Sequence, residues 1–263
     1  MNEQDLKACL DVVCKVALKA GDLMYANWRL PKQVNEVKQH DIKLALDVKC
    51  QELISSELKK FYPEFALFGE EGCEGATNAP YRWVVDPIDG TVNFVFEIPH
   101  ACTSIALQKL DNQGVYQTIL GVVYEPFCKE MWTATRDEVA MLNGKPIHSS
   151  ERNTLEESVI SVGFAKMQKN VNLSLEAMAR LTSQVRKVRI MGSAALDLTY
   201  VATGRLDAYL EAGVRLWDIA AAGFILEKAG GHFGKTLLTG PTAEPESYKV
   251  DATNHWLAGK FNF

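Results

Sequence analysis

The 263-residue sequence is short of several things at once. No window approaches 18 uninterrupted apolar residues, so no membrane-spanning helix is expected. There is no basic excess: 28 Lys and Arg face 33 Asp and Glu, a net charge of −5. That balance argues against a nucleic-acid or anionic-membrane surface. The first residues, MNEQDLKACLD, offer neither a basic stretch nor an apolar core, and no signal peptide is expected. The six cysteines, at 9, 14, 50, 73, 102 and 128, show no C-x-x-C spacing. They are expected as reduced, mostly buried thiols of a cytoplasmic protein. No His/Cys cluster stands at metal-ligand spacing, and no G-x-S-x-G elbow offers a serine nucleophile. Internal repeats, low-complexity tracts and a Pro/Ser-rich linker are also missing.

What is present is an ordinary globular composition, 47% apolar and 23% charged. The length suits one large domain or two fused halves. Residues 4–28 place Leu6, Leu10, Val13, Ala17, Ala20, Met24 and Trp28 near helical spacing, and 42–61 give a second helix closed by Pro63. From there to about 148 the pattern is mostly β: 65–69, 81–85, 101–110, 115–126 and 129–135, with turns at 111–114 and 143–146. A large, largely antiparallel sheet covered by the two helices is expected from residues 1–148. Beyond 150 strands and helices alternate: strands at 157–163, 187–192 and 207–213, helices at 170–183, 193–204 and 217–230. Residues 149–263 are therefore expected as an α/β half packed on the first in a single compact unit. After KVDATNHWLAGKFNF (249–263) no room is left for a closing helix.

Four acidic stretches sit at the edges of expected elements. They are Asp47, Gly69-Glu70-Glu71-Gly72, Asp86-Pro87-Ile88-Asp89-Gly90-Thr91 and Trp217-Asp218. Each has a plain reading alone. Asp47 suits a solvated helix face, Glu70-Glu71 an exposed loop, Asp86-Pro87 a turn opener, and Asp218 a helix N-cap. Together they point further. Pro87 holds the two aspartates in a set relation, Gly90 allows a sharp turn, and Thr91 opens a short helix whose N–H groups favour an anion. Carboxylates beside a phosphate cradle repel phosphate unless a cation lies between. The candidate ligands are all hard oxygens, which selects Mg²⁺ over zinc. Glu70, Asp86, Asp89 and Asp218 bring −4, so two Mg²⁺ neutralise them and a third leaves the site positive.

At these residues the sequence closely resembles the inositol monophosphatase family of Mg²⁺-dependent, lithium-sensitive phosphatases. The matching pieces are GEEG (69–72), WVVDPIDGTVNF (83–94), GSAALDLTYVATGRLDAYLE (192–211) and LWDIAAAG (216–223). The resemblance implies an α+β or α/β fold, a layered αβαβα sandwich of the sugar-phosphatase type. It implies a first metal on Glu70, Asp86 and the Ile88 carbonyl, and a second on Asp86, Asp89 and Asp218, two or three ions in all. Asp89, Gly90 and Thr91 would bind phosphate; Glu211, Arg189 and Ala194 would line the alcohol side. Thr91, held by Asp47, would orient and deprotonate the attacking water, with Glu70 the alternative base. One departure is Leu44 where the family's D-x-V-T-x-x-D, here Asp41 to Asp47, usually has threonine.

The expected activity is hydrolysis of inositol monophosphate to inositol and phosphate. Fructose 1,6-bisphosphate, histidinol phosphate or a 3′-phosphonucleotide are the alternative substrates. A transcription-antitermination partner, as some bacterial relatives are, is the alternative class. A homodimer is expected by analogy alone.

Overall fold

The computed structural model describes residues 1–32, 34–38, 41–165, 167–238, 246–261 and 263, with 34–38 and 41–43 as backbone only. The Asp41 side chain of the departing motif thus lies outside the described residues. The helices are α1 (Glu3–Asn27), α2 (Ala45–Lys59), α3 (Thr91–Val95), α4 (Gln168–Leu181), α5 (Ala194–Ala202) and α6 (Leu216–Lys228). The strands of the first half are β1 (Val34–Lys38), β2 (Asp41–Leu44), β3 (Ala66–Gly69), β4 (Gly72–Glu74), β5 (Tyr81–Asp89), β6 (Cys102–Leu110), β7 (Tyr116–Glu125), β8 (Glu130–Thr135), β9 (Met141–Leu142) and β10 (Lys145–Pro146). Those of the second are β11 (Val159–Val162), β12 (Lys187–Arg189), β13 (Ala208–Val214), β14 (His232–Leu237) and β15 (Tyr248–Thr253).

Eight strands form one sheet in the order β10-β9-β8-β7-β6-β5-β3-β4. It is antiparallel except where β3 runs parallel to β5. The second sheet has the order β12-β11-β13-β15-β14, parallel on the β12 side and antiparallel on the β14 side. β1 and β2 make a separate hairpin.

The layers follow from which side chains alternate inward. On β5, Trp83 and Val85 face α1 and α2, where Leu6, Val13 and Ile54 bury against them. Val84, pointing the other way, meets the apolar helices α5 and α6. The far side of those helices lies on Tyr209 and Ala252 of the second sheet. That sheet's outer face, with Ile160, Val162 and Leu210, is closed by Leu181 of α4 and Phe261. The stacking is αβαβα, as expected. The central helices are buried on both sides, which explains why α5 and α6 carry apolar residues on more than one face.

Several boundaries differ from expectation. The segment expected to open the second helix at 42 is strand β2, and the helix starts at Ala45. β4, β14, β15 and the β1–β2 hairpin escape sequence reading; β4 and β14 are mostly exposed edge strands and show no clean two-residue alternation. Among the described residues no α-helix follows β15, only a 3₁₀ turn at His255–Leu257. None of the helices is long and apolar enough to cross a membrane.

Candidate active site

The acidic residues meet where β5 ends. Trp83, Val84 and Val85 are buried, and the strand carries Asp86 and Asp89 inward with them, 2% and 9% exposed. The pairing with β6 skips between Asp86 and Asp89, a bulge around Pro87 and Ile88 that turns both aspartates to one place. The Ile88 N–H donates to Asp86 Oδ1 at 3.0 Å, and the Thr103 hydroxyl donates to the Pro87 carbonyl at 2.9 Å. Gly90 then takes φ +91°, a left-handed conformation that glycine tolerates, and α3 begins. A Cβ there would stand 2.8 Å from the His100 carbonyl oxygen.

Asp89 is held by the start of α5. Ser193 Oγ donates to its Oδ2 at 2.6 Å and the Ala195 N–H donates to the same oxygen at 2.7 Å. The Ala194 and Gly90 N–H groups add to that set. Asp218 lies in the first turn of α6 and accepts from the Arg215 N–H at 2.6 Å. It is not the N-cap, which is Arg215, but the third residue of the helix, bonded back to the N-cap N–H. Glu70 follows β3, its N–H donating to Val85 at 3.1 Å, so its backbone is stitched to the strand that carries Asp86. Gln51 of α2 braces this turn by accepting from the Glu71 N–H and donating to the Gly72 carbonyl.

The charges confirm the proximity. Asp86 is pushed well above the usual carboxyl range by burial first, then by Glu70, Asp89, Asp218 and Asp47. Asp218 is raised likewise by burial, then by Asp89 and Glu70. Asp89 rises only to about 6, because burial is opposed by its hydrogen bonds. Asp218 and Glu211 keep some surface open to solvent, yet the protein around them is dense enough for desolvation to dominate. Glu70, Asp86, Asp89, Asp218 and Asp47 are thus near enough for their charges to act on one another.

Other predicted residues are placed as follows. The Asp47 carboxyl accepts from the Leu44 N–H at 2.8 Å, and the Thr91 hydroxyl donates to the Ile88 carbonyl at 3.0 Å. Leu44, in the position of the family's threonine, is buried against Ile88 and Phe94. Glu211 lies on β13, one oxygen bonded to the Tyr209 hydroxyl, and burial lifts it to about 7 with Asp89 adding to the rise. Ala194 is the first residue of α5 and sends its N–H to Asp89. Arg189 is exposed on the edge strand β12, one guanidinium N–H turned back to the Val188 carbonyl.

A family model for the inositol monophosphatase family matches residues 5–260. The chain belongs to that family. Relatives named "Nus factor SuhB" are 34% identical, from Xylella fastidiosa over 230 residues and from Escherichia coli K12 over 226. The two alignments cover 86% and 84% of this chain and 81% and 83% of the relatives. Among solved structures, the Thermotoga maritima IMPase superposes with a TM-score of 0.82 at 32% identity, covering 97% of this chain and 95% of that one. The inositol monophosphatase of Anabaena gives 0.81 at 30%, covering 98% and 94%. A structure titled as inositol monophosphate-bound SaIMPase-II gives 0.77 at 25%, covering 97% and 92%.

The family generally uses Mg²⁺, and the donor set of this member fits a hard cation. Its acids offer oxygen alone, and beyond burial the groups acting most strongly on Asp86 are other carboxylates. Among the described residues no three His, Cys, Asp or Glu side chains already converge at ligating distance. The like charges instead turn onto local N–H and O–H donors, each such bond engaging one carboxyl oxygen. Sequence reasoning missed Gln51, Ser193 and Tyr209, which hold the Glu71–Gly72 turn, Asp89 and Glu211 by hydrogen bonds. The serine that opens the GSAALD stretch at a helix start was the available signal for Ser193.

Proposed function

We propose that the protein is a Mg²⁺-dependent phosphomonoesterase that hydrolyses inositol monophosphate to inositol and phosphate. The observation that supports this reading is the mutual electrostatic effect of Glu70, Asp86, Asp89 and Asp218 at the end of β5, next to the Gly90 turn, in a chain of this family. Glu70, Asp86 and the Ile88 carbonyl would hold one ion; Asp86, Asp89 and Asp218 would hold a second. Bound there, Mg²⁺ supplies Lewis-acid activation of water and offsets charge on the phosphoryl group and the leaving oxygen. The rest falls to the chain itself. Gly90 and Thr91 would present backbone N–H groups to the phosphate, the Gly90 N–H being shared with Asp89 at the same edge. Thr91, with Asp47 close behind Asp86, orients the water, and Glu70 is the alternative acceptor of its proton. Glu211 faces the alcohol, where a carboxylate suits hydroxyls better than a second phosphate; Arg189 and Ala194 complete that side.

The division of labour follows the two halves. Residues 1–148 supply most ligands, and 149–263 supply Asp218 and the substrate side. The proposed assembly is a homodimer in the cytoplasm.

The test is phosphate release from inositol 1-phosphate, fructose 1,6-bisphosphate, histidinol phosphate and 3′-phosphoadenosine 5′-phosphate, with and without Mg²⁺ and with added Li⁺. Mg²⁺-dependent, Li⁺-sensitive release highest on inositol 1-phosphate is expected. Asp86→Asn should remove most of it, on the order of 3–5 kcal/mol of barrier. Asp89→Asn turning over normally at saturating Mg²⁺ would sink the ligand assignment.

The name carried by the 34% identical relatives favours a second role, as a transcription partner. Capture of RNA polymerase by the inactive Asp86→Asn protein would separate that role from catalysis.

A further inference from the structure

Glu211 lies one strand away from Gly163. β11 and β13 run parallel with Val162 opposite Leu210, and the Gly163 N–H donates to the Leu210 carbonyl at 2.9 Å. That register sets Gly163 beside Glu211 on the same side of the sheet. The Glu211 carboxyl folds over the glycine. A Cβ at position 163 would stand 1.7 Å from its Oε2, 2.4 Å from Cδ and 3.1 Å from Cγ. The carboxyl therefore occupies the volume that any other residue at 163 would fill. Tyr209, two residues earlier on the same face, tethers it from beneath, its hydroxyl donating to Oε2 at 2.5 Å. Tyr209 is fully buried and cannot follow the carboxyl elsewhere. Deeper on this face Ser161 donates to Asp197 at 2.8 Å, so the space behind is already taken by a bonded pair.

We infer that Gly163 is a specificity-determining position: its missing side chain is the slot that holds the Glu211 carboxyl toward the alcohol half of the substrate, with Tyr209 as the tether. The inference rests on the reading of Glu211 proposed above. A carboxylate held in this way accepts hydrogen bonds from the hydroxyls of a neutral polyol and repels a second phosphate. Any side chain at 163 ejects it and opens the alcohol side to substrates that lack those hydroxyls. Glycine is not needed there for the backbone, because Gly163 is not among the positive-φ glycines. The obstacle to a Cβ is the flexible end of one side chain. Gly163→Ala is therefore expected to fold.

The experiment compares kinetics on inositol 1-phosphate with those on p-nitrophenyl phosphate, whose leaving group offers no polyol hydroxyls. Gly163→Ala should raise KM for inositol 1-phosphate about tenfold, the loss of one hydrogen bond to a charged group. It should leave KM for p-nitrophenyl phosphate and the Mg²⁺ requirement unchanged. Tyr209→Phe should shift discrimination the same way by less. The double variant Gly163→Ala/Glu211→Ala should be no worse than Glu211→Ala alone, since both changes remove one interaction. Equal losses on both substrates, or unaltered discrimination, in a folded Gly163→Ala protein would overturn the inference. If Glu211→Ala shifts discrimination and Gly163→Ala does not, the inference falls and the reading of Glu211 stands. If Glu211→Ala shifts nothing, that reading falls and takes the inference with it.

Discussion

Stripped of divalent ions by a chelator, the protein should lose stability as pH rises from about 6.5 to about 7.5, and millimolar Mg²⁺ should remove most of that slope. The sign follows from the buried acids. Asp86 and Asp218 are pushed far above the ordinary carboxyl range by burial and by each other's neighbours. Asp197 is raised by burial against its Ser161 bond, and Glu211 by burial to about 7. An acid whose folded pKa exceeds its unfolded value keeps a proton that the unfolded chain has already lost. Stability then falls as pH climbs from the unfolded value to the folded one. Each carboxyl protonated only in the native chain contributes about 1.4 kcal/mol per pH unit. Glu211, near 7 in the folded chain, contributes about 0.7 kcal/mol over the window, a midpoint shift of roughly 1–3 °C for a chain of this size, and Asp86 and Asp218 add in the same direction. Asp89, near 6, has mostly titrated before the window opens. His100 works the other way. Burial lowers it to about 4, so its contribution is full above its unfolded pKa and is lost as pH falls toward 4. Starting near 6.5 keeps that opposing effect small. The buried thiols of Cys9 and Cys14, pushed up to about 11, titrate above the window. Calorimetry on chelated and Mg²⁺-loaded protein across the window measures the slope. A chelated protein whose midpoint is flat or rises across it would refute the reasoning, because the acids would then not be confined together.

Other perturbations separate binding from folding. Ser193→Ala removes the hydroxyl that bonds Asp89 Oδ2, and should raise the Mg²⁺ concentration for half-activity about tenfold, with Ser193→Thr restoring it; a Mg²⁺ titration reads both. Asp207 is fully buried and bonded to Ser150, Arg152 and the Val159 N–H, none of them assigned to the site, so Asp207→Ala should cost about 3–5 kcal/mol in denaturant melts with turnover of the folded fraction preserved. Gly90→Ala meets both a positive φ and the His100 carbonyl, and should lose about 2 kcal/mol together with phosphate affinity, measured by product inhibition. Leu44→Thr restores a capping hydroxyl worth about 1 kcal/mol but removes a buried leucine worth more, so thermal melts should show a net loss.

The local chemistry was legible because it is written in consecutive residues. An apolar run that ends in D-P-I-D-G-T reads as a buried strand followed by a sharp turn at Gly90, and the structure carries that strand on through a bulge to Asp89. The amphipathic period of α1 is equally local, since one face of it must be buried. The start of α2 was misplaced for a related reason. Residues 42–44 read as the first turn of that helix, but they pair with β1 across the β1–β2 hairpin. The strands β14 and β15 carry no clean alternation, because pairing with β13 rather than amphipathicity holds them.

By itself, the sequence determined which atoms are available: hard oxygens at the ends of buried elements, a glycine corner and a family pattern. Tertiary structure alone decided which of them face each other. Asp218 reaches Asp89 because α6 is sandwiched between two sheets, Ser193 reaches Asp89 because α5 starts beside the β5 corner, and Gly163 receives Glu211 because β11 and β13 pair in one register. The physical reason is that periodicity reports only which face of an element is buried. Convergence depends on register and layer packing, which are set by contacts between residues far apart in the chain.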